Sequence, residues 1–202
     1  MMEYMPEEFI EAHNTKGIIF RTAASLFAEK GYNGVSMREI SELTGLSKPT
    51  IYYYFGNKEG IYRALVSVGL NYNLEQFLKI QKKNIPVKKK IIELVKMRFK
   101  QVNEYPDMAK FFVMLLMGFE KLPFLEDLIE DAMTRRKWLV DMIQEAIKNG
   151  EFGTSANPEL ASEVFLGAIT HFIFRQLTTN EEILTDQLAE DIVEMLFLGW
   201  NE

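Results

Sequence analysis

The sequence contains no cysteine. That removes disulfides, thiolate metal sites and cysteine nucleophiles together. Histidine is nearly as scarce, with only His13 and His171. Two distant imidazoles with no thiolate beside them do not assemble a transition-metal site, so neither a metal nor another cofactor is expected. Long apolar runs are missing too. The longest, Phe111 to Phe119, is broken by Gly118 and bounded by Lys110 and Glu120, well short of the roughly 18 residues that a membrane-spanning helix needs. Residues 1–11 carry acid and no basic stretch ahead of an apolar one, unlike a secretory leader, so the expected compartment is the cytoplasm, with no membrane partner. Signatures of catalysis are absent as well. There is no Gly-x-Ser-x-Gly, no His-Glu-x-x-His, no P-loop and no dinucleotide fingerprint, so no catalytic residue is assigned and no enzymatic function is expected.

What is present is material for a globular core: 48% of the 202 residues are hydrophobic, enough for one large domain or two smaller ones. The net charge of −6 argues against nucleic acid as a partner, because phosphate binding is driven largely by lysine and arginine. The distribution of that charge argues the other way. Between residues 12 and 72 seven basic side chains, Lys16, Arg21, Lys30, Arg38, Lys48, Lys58 and Arg63, face four acidic ones, Glu29, Glu39, Glu42 and Glu59, a local net charge of +3. A mildly basic N-terminal third on an acidic protein fits a DNA-reading module joined to a domain of another kind.

The apolar residues recur at three and four positions throughout, which predicts an all-α protein of about nine helices. The first covers about Thr15 to Lys30, with Ile19, Ala23, Leu26 and Phe27 on one face and Gly31 as a left-handed C-terminal cap. Ser36 and Glu39 have the spacing of a capping box for a second helix, with Ile40 and Leu43 facing inward and Gly45 ending it. Ser47 caps a third, with Pro49 tolerated in its first turn and Ile51 and Phe55 as an inward pair. Asn57 caps a long fourth, about Lys58 to Lys83. Prolines and glycines divide the rest into five helices, about Val87 to Glu104, Pro106 to Lys121, Leu125 to Asn149, Pro158 to Leu177 and Leu184 to Leu198. The expected domains are 12–72, with a helix-turn-helix at about 36–55, and 73–202.

Two short helices joined by a turn containing Gly45 match the helix-turn-helix, whose second helix enters the major groove. Ile40, Leu43, Leu46, Ile51 and Phe55 would hold the pair at a fixed angle, leaving Lys48, Pro49, Thr50, Tyr52, Tyr53 and Tyr54 outward or sideways. Tyrosine hydroxyls bond phosphates and base edges, and their rings pack on thymine methyls, so a contact surface accounts for three adjacent tyrosines better than solvation does. Tyr54 falls either on that surface or against the first or fourth helix, since successive helical residues point about 100° apart.

The run Ala23-Ala24-x-Leu26-Phe27-x-x-x-Gly31-Tyr32-x-Gly34-x-Ser36-x-Arg38-x-Ile40, continued by Gly45-x-Ser47-Lys48-Pro49-Thr50-Ile51-Tyr52-x-Tyr54-Phe55-x-Asn57-Lys58-Glu59, resembles the signature of the TetR family of bacterial regulators over the first third of the chain. The resemblance implies a homodimeric transcriptional repressor, released from a palindromic operator by a small molecule bound in a helical C-terminal domain. It implies phosphate or groove-edge contacts at Ser36 and Arg38 and a recognition-helix start at Ser47, Lys48, Pro49 and Thr50. It further implies a phosphate contact at Lys58. Met37 departs from the pattern, standing where a small hydroxyl residue is common.

Past residue 96 methionines and aromatics accumulate, side chains that build cores and also line adaptable apolar pockets. Arg98, Gln101, Phe111, Met114, Trp138, Phe165 and His171 are the candidates for such a pocket, with an apolar or amphipathic organic molecule as its ligand. Arg98, Gln101, His171 and Arg175 stand out because a polar group in an apolar helix either bonds a neighbour or meets a ligand's polar end. His171 is alternatively a satisfied core or interface histidine. The eighth helix is apolar nearly all round and the ninth carries its own apolar stripe. A two-fold four-helix bundle through these last two helices of each subunit would bury both.

Overall fold

Asn14 opens the first helix by accepting the Lys16 N–H on its side chain at 3.0 Å. The computed structural model describes residues 14–116, 122–126, 130, 137–179 and 181–199. Among these the chain forms nine α-helices and no strand: α1 (Thr15–Lys30), α2 (Met37–Thr44), α3 (Lys48–Phe55), α4 (Lys58–Gln81), α5 (Val87–Glu104), α6 (Pro106–Leu116), α7 (Lys137–Lys148), α8 (Pro158–Thr179) and α9 (Asp186–Leu198). Pro123–Leu125 is a single 3-10 turn. The expected helical stretches at 117–121, 127–129 and 131–136, and residues 12 and 13 of the expected first domain, lie outside the described residues.

The chain divides into two compact units, one of residues 1–74 with 105–129 and the other of 75–104 with 130–202. The division therefore falls inside α4, and the segment carrying α6 joins the N-terminal unit. The core of that unit shows why. Tyr62 of α4 meets Phe27 of α1 and Phe111 of α6 edge to face, at 4.8 and 4.9 Å. Tyr32 and Phe124 close the same cluster at 5.0 Å. Ile19, Ala23, Ile40, Ile51, Ile61 and Leu65 are sealed beside it. The expected inner face of α1 is buried throughout.

In the second unit α5 packs on α9, α7 and α8, and α8 packs on α7 and α9. The Glu151 carboxylate accepts the Val87 and Lys88 N–H groups at 3.1 Å each, placing a negative charge on the exposed donors at the start of α5. Lys88 and Lys96 of α5 reach Glu194 and Glu190 of α9. Gln176 accepts the Ile183 and Leu184 N–H groups at 2.9 Å and donates to Asn103, tying the turn between α8 and α9 to the end of α5. Helix α8 runs two residues past the expected Leu177, and α9 begins at Asp186 rather than Leu184 because Thr185 caps it by accepting the Leu188 N–H.

Candidate nucleic-acid interface

The turn between α2 and α3 is set by short polar bonds. Ser36 accepts the Glu39 N–H at 3.1 Å and starts α2. The expected capping box is only half made: the Glu39 carboxylate pairs with Lys30 of α1. That pairing raises the Lys30 pKa, chiefly through the hydrogen bond. At the other end Gly45 takes φ 69° and ψ 9°, a left-handed conformation that glycine adopts at no steric cost. Gly31 also has positive φ, but its ψ of 175° lies outside the left-handed helical cap expected there. Ser41 Oγ donates to the Leu46 carbonyl at 2.6 Å. Thr44 Oγ1 donates to the Ile40 carbonyl at 2.7 Å and accepts the Leu46 N–H at 3.3 Å.

These hydroxyls correct the inward pair expected on α2. Its inner stripe runs through Met37, Ile40, Ser41 and Thr44, and Leu43, about 100° round the helix from the centre of that stripe, is 62% exposed. Ser41 and Thr44 sit inside without penalty because their hydroxyls bond backbone on the spot.

Helix α3 starts on Ser47, whose Oγ accepts the Thr50 N–H at 3.3 Å and lies 2.8 Å from the Thr50 hydroxyl. Lys48 and Pro49 follow in the first turn, both exposed. Ile51 is fully buried, and Phe55 meets Phe20 of α1 at 5.0 Å, so the back of α3 is clamped to the module. The other face is aromatic and open. Tyr53 is 84% exposed, and Tyr52 and Tyr54 are exposed beside it. The rings of Tyr53 and Tyr54 meet edge to face at 5.3 Å. Of the two placements open for Tyr54, the outward one is observed.

Arg38 lies exposed on α2, with its Nε donating to Glu42 at 2.6 Å, a bond that raises the guanidinium pKa. Lys58 is used differently. Its ammonium donates to the Tyr32 and Val35 carbonyls at 2.7 and 2.8 Å and lies 4.2 Å from the Tyr32 ring centroid. It locks the connection between α1 and α2 onto the start of α4. Asn57 caps α4 by accepting the Gly60 N–H at 2.7 Å. A side chain at Gly60 would stand 1.9 Å from the Phe55 carbonyl, so the close passage from α3 into α4 requires glycine there.

The pocket candidates divide between the two units. Phe111 is core of the N-terminal unit, and Met114 of the same helix is exposed. In the second unit Trp138 stacks on Phe77 at 4.3 Å, Phe165 is buried, and His171 is exposed on α8. Arg175 pairs with Glu181 at 2.7 Å. Arg98 and Gln101 are neighbours, with Arg98 Nη1 donating to Gln101 Oε1 at 3.4 Å. Sequence reasoning missed Ser41 and Thr44, whose signal was two hydroxyl residues on the inner stripe of a short helix.

Residues 19–65 match the model of the bacterial regulatory proteins of the tetR family. Over 181 residues the chain is 26% identical to YuxN of Bacillus subtilis (strain 168), described as an uncharacterized HTH-type transcriptional regulator. That alignment covers 89% of this chain but only 60% of that protein. In three dimensions the chain is similar to the ketosteroid transcriptional regulator KstR2 of Mycobacterium tuberculosis, with a TM-score of 0.78, 16% identity, and 95% and 97% of the two chains covered. It is also similar to the transcriptional regulator FadR from Bacillus subtilis in complex with stearoyl-CoA, with a TM-score of 0.74, 21% identity, and 90% and 97% covered.

Proposed function

Because this chain belongs to the TetR family of bacterial helix-turn-helix transcriptional regulators, we propose that it acts in the cytoplasm as a homodimeric repressor. It binds a palindromic operator through α3 and is released by a small amphipathic molecule held in the second unit. It works by binding and not by catalysis. The observation that carries this reading is the open face of α3. Three tyrosines, with Lys48 and Pro49 ahead of them, project from a short helix whose back is fixed by Ile51 and Phe55. Water gives no reason to expose so much ring surface. DNA does, because phenol hydroxyls reach phosphates and base edges while the rings cover thymine methyls.

The dimer reading is supported by α8. Leu160, Val164, Gly167, His171 and Phe174 are all exposed and recur at intervals of four, three, four and three. That is the spacing of a helix-pairing seam. Met195, 73% exposed, and Leu198 add apolar surface on the neighbouring α9. A methyl group at Gly167 would meet nothing within 4 Å in this chain. Glycine in mid-helix costs about 0.5–1 kcal/mol relative to alanine, and close approach of a second α8 gives that cost a purpose. In this dimer His171 belongs to the subunit interface. A two-fold pair of α3 helices would then lie about 34–36 Å apart on successive turns of the major groove.

Salt dependence tests the reading. Affinity for the duplex should fall steeply between about 50 and 200 mM salt, as counterion release requires. Binding that is indifferent to salt would point instead to apolar docking on another protein and would remove the DNA-reading role.

A further inference from the structure

Arg98 and Gln101 lie three residues apart on α5, among Val95, Phe99 and Val102, which are all buried. The Arg98 guanidinium donates to Gln101 Oε1, so the amide's acceptor is taken. Its Nε2 is buried with no hydrogen-bond partner, in a residue only 6% exposed. The pair thus presents the Gln101 Nε2 donors without an acceptor and a guanidinium without a carboxylate partner among the described residues. Lys88, Lys96 and Lys100 of the same helix each have a carboxylate partner. Asn103 and Gln176, the nearby amides, are bonded at both ends. Burial alone lowers the Arg98 pKa, with no carboxylate to offset it. Yet the arginine is only half-buried. The residue therefore keeps part of its surface open.

A buried donor without a partner and a desolvated cation without a counterion are both costly. Two such features in contact form an incomplete site whose missing component is an oxyanion. We propose that Arg98 and Gln101 form the head-group subsite of the effector site, holding a carboxylate or phosphate through the guanidinium and the free amide N–H groups, with the apolar body of the molecule outside this pair. The inference rests on the effector reading above and adds to it the sign and chemistry of the polar end. Helix α5 ends at Glu104, and Tyr105 opens the segment that carries α6 into the N-terminal unit. An anion on Arg98 would therefore act a few residues from the link between the units.

Three probes of equal chain length test it by calorimetry on the full-length protein: dodecanoate, dodecanol and dodecanoyl-CoA. At least one charged probe should bind about tenfold or more tightly than dodecanol, the advantage expected of a charge-assisted pair. Preference for dodecanoate assigns the head group as a carboxylate, and preference for dodecanoyl-CoA alone assigns a phosphate. Arg98→Met should abolish the preference while retaining dodecanol affinity, and Gln101→Leu should reduce it. Without ligand, Arg98→Met should melt a few degrees above the unsubstituted protein, because an unmatched, desolvated cation has been removed. Lower melting would mark Arg98 as a structural residue and overturn the inference. Equal binding of charged and uncharged probes, unchanged by Arg98→Met, would overturn it while leaving the effector reading intact. Failure of all three probes to bind would remove the effector reading for amphiphiles, and the inference with it.

Discussion

Two lysines near α3 carry the same charge and are placed differently. Lys58 holds two carbonyls of the connection between α1 and α2 and lies over a ring. Lys48 stands exposed at the start of α3. Replacing Lys58 with methionine should cost about 2 kcal/mol in urea denaturation, the scale of hydrogen bonds made by a charged group. Replacing Lys48 with alanine should leave the denaturation midpoint within about 0.5 kcal/mol of its value. It should instead lower operator affinity and reduce the slope of log affinity against log salt by about one. Tyr53→Ala should behave like the second variant, with about 1–3 kcal/mol lost from operator binding, read by fluorescence anisotropy. In the sequence Tyr53 reads as an outward-facing contact residue of the third helix, and the family resemblance implies DNA contacts at Lys48 and Lys58 alike. It could not separate Lys58 from Lys48, since what Lys58 bonds to lies 23 and 26 residues away along the chain.

Among the helices, those whose ends depend on neighbouring residues were the most legible. Ser36, Ser47 and Asn57 cap α2, α3 and α4 as their spacing predicts, and Pro86 and Pro106 mark the start of α5 and α6. Leu43 departs from its expected inward place because two hydroxyls, satisfied by backbone, take the positions that a purely apolar rule reserves for leucine. The association of α6 with the N-terminal unit was not legible at all, because it rests on ring contacts between Phe27, Tyr62 and Phe111, far apart in sequence. The same packing makes Gly69 of α4 indispensable: an added Cβ would lie 2.0 Å from the Phe112 ring of α6. Gly69→Ala should destabilise the protein by about 1–3 kcal/mol through overpacking. Phe112→Leu in the same chain should restore part of that loss, and thermal melting of the single and double variants checks both statements.

For the molecule as a whole, the account requires two copies and one duplex. A charge set into the seam of α8 should break the pairing: Val164→Asp, at an exposed position that perturbs no core contact, should yield a monomer by light scattering. Operator affinity should fall with it, because a single α3 reads only one half-site. Regulatory chemistry was harder to read from sequence than DNA chemistry, since a ligand site draws on distant helices while the helix-turn-helix fits in twenty consecutive residues, 36–55. The most direct measurement is selection of genomic fragments from the source organism by the protein after unfolding, removal of bound small molecules and refolding, with Tyr53→Ala selected in parallel. The account predicts enrichment of a palindrome by the unsubstituted protein and its loss in the variant. No enrichment by the refolded protein, or equal enrichment by both proteins, would contradict recognition of DNA through α3.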